Sequence, residues 1–307
     1  MASMPRDVYR HPRLPVTRPG LVQVPWWCCP RRLAASGGHP PTPLAPVGSR
    51  WLLGRLESAE PDVSMCGKRG HYSGDRGQSR VNPSAVIFDA YGTLFDVNSV
   101  AQACAAITPA PEALVALWRA KQLEYSFLRS LMGQSAYADF WTITVDALDF
   151  ATEKLGLRIS TADRDRALQG WLEVRPYPEV PSTLDVLAGQ GRRCAILSNG
   201  TPNMLHTALA SAGLARRFQT VLSVDAIRTF KPHPRVYQMA VDALATPPGE
   251  LLFISSNGWD AAGARAFGLP VAWVNRTSAP VERLGVSPDV ILADLSTLPA
   301  LLTAKAR

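Results

Sequence analysis

The chain has 307 residues, 47% of them hydrophobic, and a formal charge of +7. That is enough apolar material for a sizeable core, which excludes a wholly disordered polymer, and the lack of any apolar run of about 18 residues excludes a membrane-spanning helix. Residues 1–80 hold 12 Lys and Arg against 5 Asp and Glu, whereas residues 81–307 hold 20 of each, so the basic balance belongs to the N-terminal segment and gives the rest of the chain no nucleic-acid character.

The N-terminal segment also carries 11 of the 26 prolines and shows no sustained helical or strand period, so residues 1–80 are expected to be disordered. A secretory signal is not expected: Val22 to Cys29 is interrupted by Gln23 and Pro25 and followed by Arg31-Arg32. Three origins stay open. The segment is an organelle-targeting extension, a functional basic tail whose Trp26-Trp27 and Trp51 could stack on bases, or an artefact of an upstream start codon with Met65 as the internal start. The last is favoured, since Met65 offers an internal start shortly before the first strand, and Pro-rich disorder explains the tail without a nucleic-acid partner. The five cysteines, Cys28, Cys29, Cys66, Cys104 and Cys194, show no metal-ligand spacing, which fits a reducing compartment and a cytoplasmic location.

Ala85-Val86-Ile87-Phe88 predicts a buried strand, bounded by Asp89 and the Gly-containing turn Tyr91-Gly92-Thr93. Ligands of open α/β sheets collect outside the carboxyl ends of strands, which makes Asp89 the candidate nucleophile; the plainer reading is a helix N-cap. Apolar residues then recur at helical spacing through Ala113 to Trp118, Leu123 to Leu131, Phe140 to Phe150 and Ala167 to Trp171, a helical insertion of about 75 residues. From Pro176 onward helices alternate with the short runs Cys194–Leu197, Thr220–Leu222, Leu251–Ile254, Val271–Val274 and Val290–Leu292. Alternation of this kind predicts parallel βαβ units. The expected fold is α/β, a doubly wound parallel-sheet, Rossmann-like core of residues 81–97 and 176–307 interrupted by a helical cap over residues 98–175.

The runs finish in Asp89, in Ser198-Asn199-Gly200, near Lys231, and in Ser255 through Asp260, and parallel strands place all of these on one edge of the sheet. With these segments in view the chain resembles the haloacid dehalogenase superfamily, and within it the (S)-2-haloacid dehalogenases, over roughly residues 84–300. The resemblance rests on Phe88 through Val97, Leu117-Trp118-Arg119 with Lys121-Gln122-Leu123-Glu124-Tyr125, Leu197-Ser198-Asn199-Gly200, Lys231-Pro232 with Arg235-Val236-Tyr237, and Ser255 through Asp260. Phosphatases of the superfamily carry a second Asp two residues after the nucleophile to protonate an alkoxide. Here that position is Tyr91, and a phenol with pKa near 10 is a poor acid. Halide leaves without a proton. Phosphatases also hold magnesium on acidic residues of the last motif, because hard cations want carboxylate oxygens; here the motif reads Ser255, Ser256 and Asn257, leaving Asp260 as its acid. No metal and no cofactor is expected.

The resemblance implies roles residue by residue. Thr93 hydrogen-bonds Asp89; Arg119 receives the departing halide, helped by Asn199; Ser198 binds the substrate carboxylate; Lys231 contacts Asp89 or that carboxylate; Tyr237 belongs to the site. Ser255, Asn257 and Asp260 surround Asp89 and position the hydrolytic water. Tyr91, Leu123, Phe140 and Trp259 line an apolar pocket for halogen and alkyl chain. Taken singly, each has a plainer role: Thr93 a cap, Arg119 and Lys231 solvated surface, Ser-Asn-Gly a turn, the aromatic residues packing. The implied activity is hydrolysis of short (S)-2-haloalkanoic acids to (R)-2-hydroxyalkanoic acids through an Asp89 ester. Alternatives are another carbon–heteroatom bond (fluoroacetate or a strained cyclic amino acid), a magnesium-dependent phosphatase, and a non-catalytic binding protein. The expected partner is a small-molecule substrate, with no nucleic acid and no membrane; relatives of this kind are often homodimers.

Overall fold

The computed structural model describes residues 83–303, and the expectation of disorder over residues 1–80 falls outside them. Strand β1 (Ala85–Phe88) is buried at every position, as a continuous apolar run must be when helices cover both faces of a parallel sheet. It pairs on one side with β2 (Arg193–Ser198) and on the other with β4 (Leu251–Ser255), both parallel. Beyond β2 lies β3 (Thr220–Ser223), and beyond β4 lie β5 (Val271–Val274) and β6 (Val290–Leu292). The order is β3-β2-β1-β4-β5-β6. The chain builds outward from β1 through β2 to β3 and then returns to start again at β4, so the strand order reverses beside β1. That switch opens a crevice at the carboxyl ends of β1 and β4, where a doubly wound sheet binds its ligands.

Between β1 and β2 the chain forms α1 (Pro111–Leu131), α2 (Phe140–Lys154) and α3 (Thr161–Leu172), then α4 (Val180–Gly189), which packs against β2. Their boundaries follow local chemistry. Pro111 opens α1 where a missing N–H costs nothing, and Asp139 and Ser160 cap α2 and α3 by accepting from Thr142 and Asp163 backbone N–H groups. The buried stripe of α1 is Leu114, Val115, Trp118, Gln122 and Ser126, facing Phe140, Ile143, Thr144 and Ala147 of α2. Trp118 and Trp171 are both fully buried and meet edge to face at 5.6 Å, an arrangement worth about 0.5–1.5 kcal/mol beyond the area it buries.

The second half supplies α5 (Pro202–Ser211), α6 (Pro234–Leu244), α7 (Gly258–Phe267) and α8 (Leu298–Thr303). The helix after Lys231 begins at Pro234, with His233 as its N-cap. Among the described residues no helix is long and apolar enough to cross a membrane.

Candidate active site

The backbone amide of Asp89 donates to the Ile254 carbonyl at 2.9 Å and so extends the β1–β4 ladder by one residue, which aims the side chain into the crevice. The chain then turns sharply. The amides of Thr93, Leu94 and Phe95 converge on the Ala90 carbonyl, and Gly92 takes φ +92°, a conformation that side chains rarely adopt. Arg276, just past β5, braces this turn from below. Its guanidinium donates to the Thr93 carbonyl at 3.0 Å, pairs with Glu179 at 2.7 Å and lies 3.6 Å from the centre of the Tyr177 ring.

Asp89 is 5% exposed, and three donors hold its carboxylate. Lys231 Nζ donates to Oδ1 at 3.0 Å, while Thr93 Oγ1 and Asn257 Nδ2 donate to Oδ2 at 2.9 and 2.8 Å. Each donor is itself fixed. Thr93 Oγ1 accepts from the Ser256 amide at 2.8 Å, Asn257 Nδ2 also reaches the Tyr91 carbonyl at 3.1 Å, and the Asn257 amide donates to Ser255 Oγ at 3.1 Å. Lys231 is 1% exposed, and its second contact is Asp260 Oδ2 at 2.8 Å. One buried ammonium therefore sits between two buried carboxylates. Burial works against that charge, but Asp260 and Asp89 outweigh it and hold Lys231 above the usual lysine range. Burial pushes the Asp260 carboxyl up to about 6, with Lys231 opposing and Asp89 adding to the rise.

Tyr237 is fully buried beneath Asp260, and its hydroxyl donates to Asp260 Oδ1 at 2.8 Å. Burial, then the Asp260 charge, drives its phenol far above the ordinary range. It reaches the crevice through Asp260 and not by its own surface. Asn199 Oδ1 accepts from the Lys231 amide at 3.0 Å, which ties the end of β2 to the lysine. Ser198 Oγ accepts from the Gly200 amide at 3.1 Å.

Tyr91 is 3% exposed, and its hydroxyl donates to the Trp171 carbonyl at 3.4 Å. Burial raises its pKa further, against the pull of Arg119, so its proton is held in the wall. Arg119 is half-buried on α1, donates to Gln122 Oε1 at 3.4 Å and lies 5.7 Å from the Trp171 ring centre. It makes no ion pair with any described residue. Burial pulls the guanidinium down, with Asp89 and then Tyr91 opposing, so this cation lies within electrostatic reach of the nucleophile. Leu123 follows one turn later on α1, half-buried, and Phe127, a further turn on, meets Trp259 edge to face at 5.0 Å. Phe140 is fully buried against Phe230, the residue before Lys231, with ring centres 6.0 Å apart.

The sequence reading had not singled out Arg276, Phe230, Trp171 or Gln122 for the site. Arg276 and Phe230 had no local signal, because their roles depend on where the chain returns after β5 and β3. Among the described residues no group of three or more His, Cys, Asp or Glu gathers at one place, and the cation between Asp89 and Asp260 is the protein's own lysine.

A strand-end aspartate held this way, on a doubly wound parallel sheet with helices inserted after β1, is the arrangement of the haloacid dehalogenase-like hydrolases, whose family model matches residues 83–268. The chain belongs to that family. It is 46% identical over 219 residues to (S)-2-haloacid dehalogenase 1 of Pseudomonas sp. (strain CBS-3), covering 71% of this chain and 96% of that protein. It is 38% identical over 219 residues to haloacetate dehalogenase H-2 of Moraxella sp. (strain B), covering 71% and 97%. The solved structure of L-2-haloacid dehalogenase from Xanthobacter autotrophicus with chloropropionic acid covalently bound superposes with a TM-score of 0.67 at 41% identity, covering 73% of this chain and 100% of that one. Within the family the chain groups with the type II (S)-2-haloacid dehalogenases.

Proposed function

We propose that this protein hydrolyses short (S)-2-haloalkanoic acids to (R)-2-hydroxyalkanoic acids and halide, with Asp89 as nucleophile. The observation that carries the reading is the division of labour around one buried carboxylate: three fixed donors on Asp89, a free guanidinium at Arg119, and the residue two places on, Tyr91, with its hydroxyl bound to a backbone carbonyl. Asp89 has no acid partner for an alkoxide. It has a cation for an anion that leaves without a proton.

In the first step an Asp89 oxygen attacks C2 opposite the halogen. The carbon–oxygen bond forms as the carbon–halogen bond breaks, C2 inverts, and the electron pair leaves with the halide to Arg119 and Asn199. Oδ1 accepts from Lys231 alone and keeps more free lone-pair density than Oδ2, which accepts twice; it is the attacking atom. Oδ2 then becomes the ester carbonyl, with Thr93 and Asn257 already placed to stabilise the oxyanion that forms on it. Water adds to the Asp89 carbonyl carbon, the acyl–oxygen bond breaks, and the hydroxy acid and one proton are released. Asp260, with Ser255 and Asn257, orients that water. Ser198 takes the substrate carboxylate, and Tyr91, Leu123, Trp259 and Phe140, the last through Phe230, enclose its apolar part. The helices of residues 98–175 act as a cap that brings Arg119 to a core formed by residues 81–97 and 176–307. The substrate is a small molecule.

The test is halide release from the two enantiomers of 2-chloropropionate, with and without EDTA. Release from the (S) enantiomer alone, indifferent to the chelator, is expected. Release from both, chelator-sensitive turnover, or hydrolysis of a phosphate ester in preference to either would contradict the reading.

A further inference from the structure

Gln122 stands three residues after Arg119 on α1 and is 0% exposed in the seam against α2. A primary amide buried among apolar side chains destabilises the fold unless its groups find partners. Its Nε2 donates to Thr144 Oγ1 at 2.9 Å. Thr144 Oγ1 in turn gives its own proton to the Phe140 carbonyl at 2.7 Å, and the Thr144 carbonyl accepts from Trp118 Nε1 at 2.7 Å. These contacts fix which way the amide faces. The Thr144 hydroxyl proton is already committed, so Thr144 can only accept from Gln122; a flipped amide would set oxygen against oxygen on one side and nitrogen against guanidinium on the other. The amide oxygen is therefore turned toward Arg119, whose Nη1 donates to it at 3.4 Å.

We propose that Gln122, anchored on α2 by Thr144, is a positioning residue for Arg119: it holds one N–H of the guanidinium against α1 and leaves the remaining donors turned to the departing halide. The inference rests on the reading of Arg119 as the halide acceptor. A neutral acceptor suits this place. A guanidinium left without a partner here would swing among rotamers and lose its aim at the reacting carbon, whereas a carboxylate would pair with it fully and compete with the halide. The Gln122–Thr144 bond also ties the arginine's helix to Phe140, so the halide-accepting group and the aromatic wall beside Phe230 move as one piece.

The test uses Gln122→Met, which keeps size and drops both hydrogen bonds, and Gln122→Glu, which keeps the acceptor and adds charge. Each is assayed for kcat and KM in halide release from (S)-2-chloropropionate and (S)-2-bromopropionate, for inhibition by added bromide, and for Tm. For Gln122→Met we expect kcat to fall about tenfold with KM within about twofold, a larger loss on chloride than on bromide, and weaker bromide inhibition. For Gln122→Glu, which loses the donor to Thr144 and gains a charge against Arg119, we expect Tm at or below wild type and bromide inhibition weakened more than in Gln122→Met. Wild-type kcat and bromide inhibition in folded Gln122→Met, with only Tm reduced, would show a purely structural tie and overturn the proposal. Should Gln122→Met fail to fold, unchanged bromide inhibition in Gln122→Glu overturns it alone. A wild-type enzyme that releases no halide from either acid would remove the proposed function first, and this inference with it.

Discussion

Replacing Lys231 with Met removes the ammonium that stands 3.0 Å from Asp89 Oδ1 and 2.8 Å from Asp260 Oδ2 while nearly preserving side-chain volume. The lysine is 1% exposed, Asp89 5% and Asp260 0%, so neither water nor salt replaces the lost charge. Leaving a buried partner uncompensated costs about 3–5 kcal/mol. Some of that is recovered because Asp260, which burial already pushes up and Lys231 holds down, takes up a proton, but the ionised Asp260 is the form proposed to orient the hydrolytic water, so the recovery comes at the expense of activity. The same energy read as transition-state stabilisation is a loss of about 10² to 10⁴ in kcat. In a domain of this size about 1 kcal/mol moves Tm by about 2–4 °C, so a drop on the order of 10 °C is expected. The drop also has a pH signature. In the variant a carboxyl pKa is raised above its unfolded value, and such a group stabilises the fold at low pH and loses that contribution as pH rises through the folded pKa. The deficit in Tm should therefore be smaller at pH 5 than at pH 8. The assay is halide release beside a thermal melt at both values. Activity within threefold of wild type, or a Tm deficit that grows on acidification, would refute the reasoning.

Three further outcomes follow from the same geometry. Because burial holds Asp260 at about 6 and its ionised form is the one that pairs with Lys231, kcat/KM should fall about tenfold per unit as pH drops below that value, and a profile flat down to pH 4.5 would show that Asp260 ionisation does not matter. A Cβ added at Gly263 would stand 2.5 Å from Pro232 Cβ and 2.6 Å from Tyr237 Oη. Gly263→Ala should cost about 1–3 kcal/mol and lift Tyr237 off Asp260, seen as a lower Tm with reduced kcat; wild-type values for both would contradict the packing. At Gly200 a Cβ would come within 2.9 Å of the Tyr91 ring, which Phe95, Trp171 and the hydroxyl bond to the Trp171 carbonyl hold in place. Gly200→Ala should displace the ring and change the kcat/KM ratio of 2-chloropropionate to 2-chlorobutyrate, and an unchanged ratio would remove Tyr91 from the substrate wall.

How far the sequence could be read depends on whether a residue's role is local. Asp89, Ser198 and Ser255 stand at the ends of apolar runs, and a parallel sheet brings such ends together whatever the connections do. Thr93 lies four residues from Asp89 within one turn, so their bond is a property of that turn. Lys231 was legible as a loop residue before a helix, but its place between two carboxylates comes from the path after β3, and its burial has no counterpart in the neighbouring prolines. Tyr237 sits in the first turn of α6 as its spacing indicates, yet its hydroxyl ends under Asp260, a contact set by how α6 packs on α7. Gln122 did carry a signal. It follows Trp118 by four residues on the stripe that periodicity marks as buried, and an amide on such a stripe needs partners, though the sequence alone names neither Thr144 nor Arg119. Arg276 carried none, since a single arginine after a strand is ordinarily solvated surface.

The central claim is that carbon is transferred to Asp89 and that water attacks the protein, not the substrate. A single turnover of (S)-2-chloropropionate in oxygen-18 water, followed by mass analysis of the peptide containing Asp89 and of the released hydroxy acid, tests it directly. Label in the Asp89 carboxylate, with the product carrying unlabelled oxygen, is the predicted result. Label in the hydroxy acid after that first turnover, with none on Asp89, would contradict the account.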